Sequence, residues 1–274
     1  MLQAIKPAKA LILDSGIGGL SIAKAIRAAI PDVLIDYLAD YEFFPYGDKS
    51  ETDIQERVAC LLEQLIPSSQ PDLIVIACNT ASTTVLDKLR LRFDLPFVGV
   101  VPAIKPAVSL TQSGVIGVLA TPGTVARTYT QNLIKQFGDG KRILLQGSAR
   151  LVEQAELKLY GQPTCITIVQ KELDNLFSQP FGDQIDTVVL GCTHFPLLKD
   201  ELQITAMKAI NWVDSSEAIA RRTLSCLSEI KRRLKQKPVF DGQRFYVTNN
   251  TLEAEAVILE KWMGKAEITF IQVC

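Results

Sequence analysis

Short apolar runs rich in Val, Ile and Leu recur at 10–13, 34–38, 73–77, 97–100, 115–119, 142–145, 187–190 and 211–213. Their apolarity is continuous rather than alternating, as expected of strands covered on both faces of a parallel sheet. Amphipathic stretches separate them. Over 50–66, Ile54, Val58, Leu61, Leu62 and Leu65 repeat with helical period, Ser50 and Asp53 resemble a capping box, and Pro67 is expected to stop the helix. A second helix is expected from Ser215 to about Leu234, with Ile219, Thr223, Cys226, Leu227 and Ile230 on one face and Asp214 as its cap. Strand and helix alternate throughout, the pattern of α/β folds whose ligands gather at the carboxyl ends of strands.

Four strand-to-helix turns invite comparison: 11–21 (LILDSGIGGLS), 74–82 (IVIACNTAS), 118–127 (VLATPGTVAR) and 188–196 (VVLGCTHFP). Asp72 stands six residues before Cys78 and Asp186 six before Cys192, each followed by an apolar strand, a small residue and the cysteine. In the other pair a small polar residue and glycine follow a strand, with Asp14 64 residues before Cys78 and Thr121 71 before Cys192. Two topologically similar halves, each giving one glycine turn and one cysteine turn to a shared cleft, are the simplest account.

A length of 274 residues corresponds to about two domains. With 47% apolar and 22% charged residues, disordered and fibrous classes are excluded. The charges, 29 basic against 30 acidic, create no global field for polyanions, so nucleic acid is not an expected partner. No run approaches the roughly 20 apolar residues that span a bilayer, and the N-terminal stretch lacks a signal-peptide core, so no membrane association and a cytoplasmic location are expected. Cys60, Cys78, Cys165, Cys192, Cys226 and Cys274 show no short paired spacing and are expected to be free thiols. His194 is the only histidine, which excludes a metal site built on several imidazoles.

A cysteine at the end of a buried strand where a helix opens meets the positive end of the backbone dipoles, which is expected to lower its pKa. Cys78 and Cys192 have this placement; the other four are expected to pack as small hydrophobes. Two equivalent thiols imply two equivalent jobs. Taking a proton from one face of a stereocentre and delivering one to the other requires an acid and a base that exchange roles, which is racemisation or epimerisation. The DSGIGG turn lacks the third glycine of a dinucleotide fingerprint and the lysine of a phosphate loop. Asp14 and Ser15 there suit the ammonium and carboxylate of a small zwitterion, and Asp14 also suits the N-cap of the next helix. Pro45, Tyr46 and Gly47 read as a turn whose tyrosine and backbone can meet a substrate carboxylate. His194, two residues after Cys192, is placed to assist that thiol. The basic run at 231–237 (KRRLKQK) reads as a solvated helix end.

Together, DSGIGGLS at 14–21, PYG at 45–47, ACNTAS at 77–82 and GCTHFPLL at 191–198 resemble the glutamate racemases of bacterial cell-wall synthesis, with order and spacing covering about residues 10–230. The resemblance implies an α/β protein of two pseudo-symmetric domains with largely parallel sheets flanked by helices and the active site in the cleft between them. The first domain would take 1–101 plus 214–274, the second 102–213. It implies a racemase without cofactor or metal that interconverts L- and D-glutamate and supplies D-glutamate for peptidoglycan. Carried over by motif, Cys78 acts on D-glutamate and Cys192 on L-glutamate. Substrate contacts fall on Asp14, Ser15, Tyr46, Gly47, Asn79, Thr80, Thr124, Thr193 and His194. A carboxylate that orients the histidine falls in SARLVEQAE, on Glu156, with Glu153 as the alternative.

Besides glutamate, the resemblance admits a homodimer and a peptidoglycan-precursor activator. Some proteobacterial members bind that activator through a longer N-terminal extension, whereas about ten residues precede the first strand here. The tail at 240–274, including FYVTNN, lies beyond the shared motifs and has no assignment other than covering a hinge or an interface. Rival readings are an aspartate racemase of the same superfamily, a non-catalytic amino-acid-binding module, and a thiol hydrolase using Cys192 and His194, which leaves Cys78 without a task.

Overall fold

The computed structural model of the chain describes residues 7–230, 243–248, 258, 261–262 and 267–271. Among these, β1 (Lys9–Asp14), β2 (Leu34–Ala39), β3 (Leu73–Ile76), β4 (Phe97–Gly99), β5 (Val115–Ala120), β6 (Arg142–Gly147), β7 (Thr187–Gly191), β8 (Asn211–Val213), β9 (Arg244–Val247) and β10 (Glu267–Phe270) form two parallel sheets. The first has the order β10-β9-β2-β1-β3-β4 and the second β6-β5-β7-β8. The eight strands expected from apolar runs are all present to within two residues at each end. The continuous apolarity has the anticipated cause, since every residue of β1, β3, β5 and β7 is buried.

Alternate residues serve opposite faces of the first sheet. Ile12, Ile35 and Val75 pack with the helices Leu20–Ala29 and Ser216–Glu229, while Leu11, Leu13, Ile74 and Ile76 pack with Glu51–Ser69 and Asn79–Arg92. The second sheet is layered likewise, with Val188 and Leu190 on one side and Ile116, Val118 and Val189 on the other. Each such side chain contributes about 1.5–3 kcal/mol on burial.

The internal repeat seen in the turns is a repeat of sheet order: β2-β1-β3-β4 corresponds to β6-β5-β7-β8, which makes β3 and β7 equivalent. The paired aspartates have matching tasks at the far ends of these strands. Asp72 accepts the Lys9 N–H at the start of β1 at 2.9 Å, and Asp186 accepts the Gln112 and Ser113 N–H groups ahead of β5 at 2.8 Å each. Each ties a cysteine-bearing strand to its neighbour.

Two local expectations need correction. Ser50 caps its helix as expected, its Oγ accepting the Asp53 N–H at 3.1 Å, but the helix runs through Pro67 to Ser69. Pro67 and Glu63, whose carbonyl a residue-67 N–H would have bonded, are both exposed near the helix end, so water can serve that carbonyl and the lost N–H is tolerated there. The helix after Asp214 spans Ser216–Glu229 with Ser215 at the N-cap position. Asp214 still accepts the Ser216 N–H at 2.8 Å. Residues 231–237, with the basic run, lie outside the described residues. The described parts of the tail, left without an assignment by the sequence, supply strands: β9 and β10 extend the first sheet beside β2, which places Phe245 and Val247 in the core. Among the described residues no helix is long and apolar enough to cross a membrane.

Burial works against the Asp186 charge, but the Thr111 hydroxyl and the Ser113 and Gln112 N–H groups hold its carboxyl at about 2, below the ordinary 3.8. A depressed folded-state pKa stabilises above the unfolded value, and the stabilisation fades as pH falls from about 4 toward 2. Asp186→Ala is expected to cost about 1 kcal/mol at neutral pH, after allowance for solvent screening, and progressively less below pH 4, as read by urea unfolding across pH.

Candidate active site

The carboxyl ends of the two sheets meet. Cys78 follows β3 at the N-cap position of the helix Asn79–Arg92, and Cys192 follows β7 at the equivalent place. They are 5% and 6% exposed, so both cysteines are buried. Cys192 does not open an α-helix directly: a 3₁₀ turn, Phe195–Leu198, intervenes before Lys199–Ala206.

Two different settings surround the two thiols. Ser15 Oγ lies 3.9 Å from Cys78 Sγ, next to the fully buried Asp14. Burial pushes the Cys78 thiol up, and the negative charges of Asp14 and Cys192 add to it. The expected lowering by the helix end is thus overturned for Cys78, because loss of solvent outweighs the dipole. Asp14 accepts the Ser15 and Gly19 N–H groups at 2.9 and 2.7 Å, and Thr193 Oγ1 lies 3.5 Å away. Burial raises its carboxyl to about 6 against the opposing pull of His194 and these N–H groups. Gly19 is itself the N-cap position of Leu20–Ala29, so Asp14 serves that helix start from five residues upstream.

On the other side His194 Nδ1 lies 3.9 Å from Cys192 Sγ, and Nε2 lies 2.6 Å from Glu156 Oε1. Glu156, not the exposed Glu153, is the carboxylate brought to the histidine. Burial disfavours the imidazolium, but hydrogen bonds to Cys192 and Glu156 and the charge of Glu156 hold His194 well above its ordinary value.

Hydroxyls close the interior between the sheets. Thr80 Oγ1 lies 2.9 Å from Thr121 Oγ1 and 3.1 Å from Thr124 Oγ1, and those two are 2.9 Å apart. Asn79 Oδ1 is buried without a hydrogen-bond partner among the described residues. Asn79 lines, with Cys192, Thr193 and Asp214, a small space of about 10 Å³, room for about one water. Tyr46 is buried, but its hydroxyl donates to Asp40 at 2.7 Å, so its phenol is committed to that carboxylate rather than turned to a ligand. Gly47 lies at a close approach of the two halves: a Cβ on it would sit 3.0 Å from Thr121 Cβ, and one on Gly123 2.6 Å from the Gly47 carbonyl.

The sequence reading missed Thr121 as a partner of Thr80 and Thr124, and it missed Asp40 and Arg127. Asp40 also accepts from Arg57 at 2.6 and 3.0 Å and from Thr248 at 2.8 Å. Its signal was present, an aspartate just past a buried strand, as at Asp14. Arg127 is buried, donates to the Thr80 carbonyl at 3.1 Å and lies 3.3 Å from Glu51; no spacing marks it. Two of the remaining cysteines, Cys60 and Cys165, differ from expectation. Cys226 is buried, but Cys60 is half-buried and Cys165 is exposed at the N-cap position of Ile166–Phe177. Cys274 lies outside the described residues. Among the described residues no cluster of three or more His, Cys, Asp or Glu side chains is arranged to hold a metal ion.

Two α/β units of one strand order, each presenting a thiol from the equivalent strand end to a common interior, define the class of the molecule. The chain belongs to the Asp/Glu/hydantoin racemase family, whose sequence model matches residues 20–223. It is 50% identical over 212 residues to the glutamate racemase of Sphingopyxis alaskensis, covering 77% of this chain and 79% of that one. It is 51% identical over 213 residues to that of Pectobacterium carotovorum, covering 78% and 74%. Among solved structures, Escherichia coli glutamate racemase in complex with L-glutamate and the activator UDP-MurNAc-Ala superposes with a TM-score of 0.89 at 40% identity, covering 98% of this chain and 99% of that one.

A raised Asp14 pKa means the group favours folding below its unfolded value near 4, and that contribution is lost as pH rises through about 6. Parent and Asp14→Asn proteins compared by denaturant unfolding are expected to diverge by about 2 kcal/mol between pH 4 and 7, the parent losing the more. At Gly18 a Cβ would stand 2.5 Å from His194 Nδ1. Gly18→Ala is expected to displace the imidazole and cost about 1–3 kcal/mol in unfolding free energy.

Proposed function

We propose that this chain interconverts L-glutamate and D-glutamate by proton transfer at the α-carbon, with Cys78 and Cys192 as the two acid/base groups. The observation that supports it is a pair of buried thiols at equivalent strand ends, within electrostatic reach of each other in one interior. The α-carbon is a weak acid because its neighbour is already a carboxylate. A desolvated thiolate is a strong base toward it, and a desolvated thiol stays protonated until needed.

In this reading Cys192 takes the proton from L-glutamate and Cys78 supplies one to the opposite face; D-glutamate reverses the roles. Asp14, near pKa 6, is the neighbouring acceptor for Cys78, as His194 with Glu156 is for Cys192. The Asn79 amide and the hydroxyls of Thr80, Thr124 and Thr193 are the donors for charge that moves onto the substrate carboxylate, and Ser15, Tyr46 and Gly47 frame the ligand. The unpartnered Asn79 oxygen supports a polar ligand there.

Glutamate is larger than the space beside Asn79, so admission requires the two halves to separate. We infer two domains, 1–101 plus 214–274 and 102–213. The chain crosses twice between the sheets, and Ser215 Oγ donates to the Val101 carbonyl at 2.7 Å where the crossings meet. Closure excludes water from the carbanionic centre, and opening sets the pace of turnover. Supply of D-glutamate to peptidoglycan in the cytoplasm, and an effector of the kind bound by the E. coli relative, belong to the same reading. The shared name of relatives near 50% identity favours glutamate over aspartate.

Incubation of either glutamate enantiomer in D₂O, with and without UDP-MurNAc-alanine, is expected to place deuterium at the α-carbon and yield both hands. Cys78→Ala and Cys192→Ala are each expected to lower racemisation by about 10³-fold, with Cys60→Ala near the parent. A parent protein that binds glutamate without exchange would instead be an amino-acid-binding module.

A further inference from the structure

Glu156 supplies the negative charge beside His194, yet only one of its oxygens faces the imidazole. The other, Oε2, accepts the Tyr41 hydroxyl at 3.3 Å, and the Tyr160 hydroxyl donates to that of Tyr41 at 3.5 Å. Glu156 lies on Arg150–Leu159, in the half built on the second sheet. Tyr41 lies in the 3₁₀ turn Tyr41–Phe43 that leaves β2 of the first sheet. The same segment brings Phe44 against His194, with ring centroids 5.9 Å apart, and Phe44 in turn packs on Tyr41 at 5.8 Å.

One half of the molecule therefore carries the carboxylate, and the other half carries the group that aims it. The terminal torsion of a glutamate is broad, so a carboxylate held at one oxygen swivels. Held at both, its plane is set, and with it the line from Nε2 through the ring to Nδ1 and Cys192 Sγ. A displacement of about 1 Å at such a site costs about 100-fold in rate. Because Tyr41 reaches Glu156 from the opposite sheet, separating the halves breaks the contact and closing them restores it.

We propose that Tyr41 is a positioning residue: by donating to Glu156 from across the cleft, it holds the His194 ring for proton transfer at Cys192, and only when the two halves are closed. The proposal rests on the two-thiol reading. It assigns no substrate contact to Tyr41.

His194 is the only histidine in the chain, so ¹⁵N-histidine labelling gives a spectrum of this one ring. In Tyr41→Phe, kcat for racemisation is expected to fall about 10- to 100-fold with KM within about threefold of the parent. The Nε2–H signal, protected in the parent by its bond to Glu156, is expected to be lost to solvent exchange. Tyr160→Phe, one hydroxyl further out, is expected to leave both readings near the parent. In a Glu156→Gln background, adding Tyr41→Phe is expected to cost less than about twofold, because the group through which it acts has already been changed.

The proposal is overturned by an unchanged kcat in Tyr41→Phe, by a lost rate with the Nε2–H signal intact, by an equal loss in Tyr160→Phe, or by additive losses in the double variant. Should Tyr41→Phe fail to fold by circular dichroism, Tyr41→Leu decides by the same two readings: an unchanged kcat or an intact Nε2–H signal overturns the proposal, and loss of the signal together with the rate supports it. A parent without α-hydrogen exchange sinks the two-thiol reading instead, and the Nε2–H signal still reports the Tyr41 contact.

Discussion

Two rows of strand ends are pressed together so tightly that the groups between them are buried from bulk water. Gly18 stands against the His194 ring, Gly47 against Thr121 and Gly123 against the Gly47 carbonyl, each at a separation that leaves no room for a Cβ. Cys78, Asp14 and His194 owe their altered acidities to burial here, since burial leads the causes for Cys78 and Asp14 and is the force that the partners of His194 overcome. Left in water, Asp14 would titrate near 4 and Cys78 near 8.5.

The same contact makes the two thiols chemically unlike, although their strands are equivalent. Cys78 sits with a carboxylate and a hydroxyl from its own half. Cys192 sits with an imidazole whose carboxylate partner is itself bonded from the opposite half. A reaction with mirror-image substrates is thus served by a site that is not a mirror of itself. Interconversion of enantiomers has an equilibrium constant of one, so such asymmetry can alter kcat and KM in each direction but not the ratio of the two kcat/KM values.

The strands were legible because burial on both faces leaves continuous runs of Val, Ile and Leu, and the internal repeat was legible because the same aspartate-to-cysteine spacing occurs twice. The tail was not. Arg244–Val247 is short and mixed, and its place beside β2 comes from a partner more than 200 residues away in the chain. Pro67 misled because a local rule for helix interiors applies weakly in an exposed last turn, where water can reach the carbonyl that the proline leaves without its N–H.

What the sequence alone determined is the set of candidate groups and the elements that carry them: one cysteine after each of two equivalent strands, a histidine two residues past the second, an aspartate at the end of β1. These are local facts, readable from period and spacing. Acidity and alignment were decided only by tertiary structure. Whether Cys78 is pushed up or down depends on how much solvent it loses and how near Asp14 lies. Which glutamate reaches His194, and that Tyr41 meets it from the other sheet, depends on contacts between residues 38 and 115 positions apart. Electrostatic energies vary with distance and with the loss of water, and neither quantity is written in the order of residues.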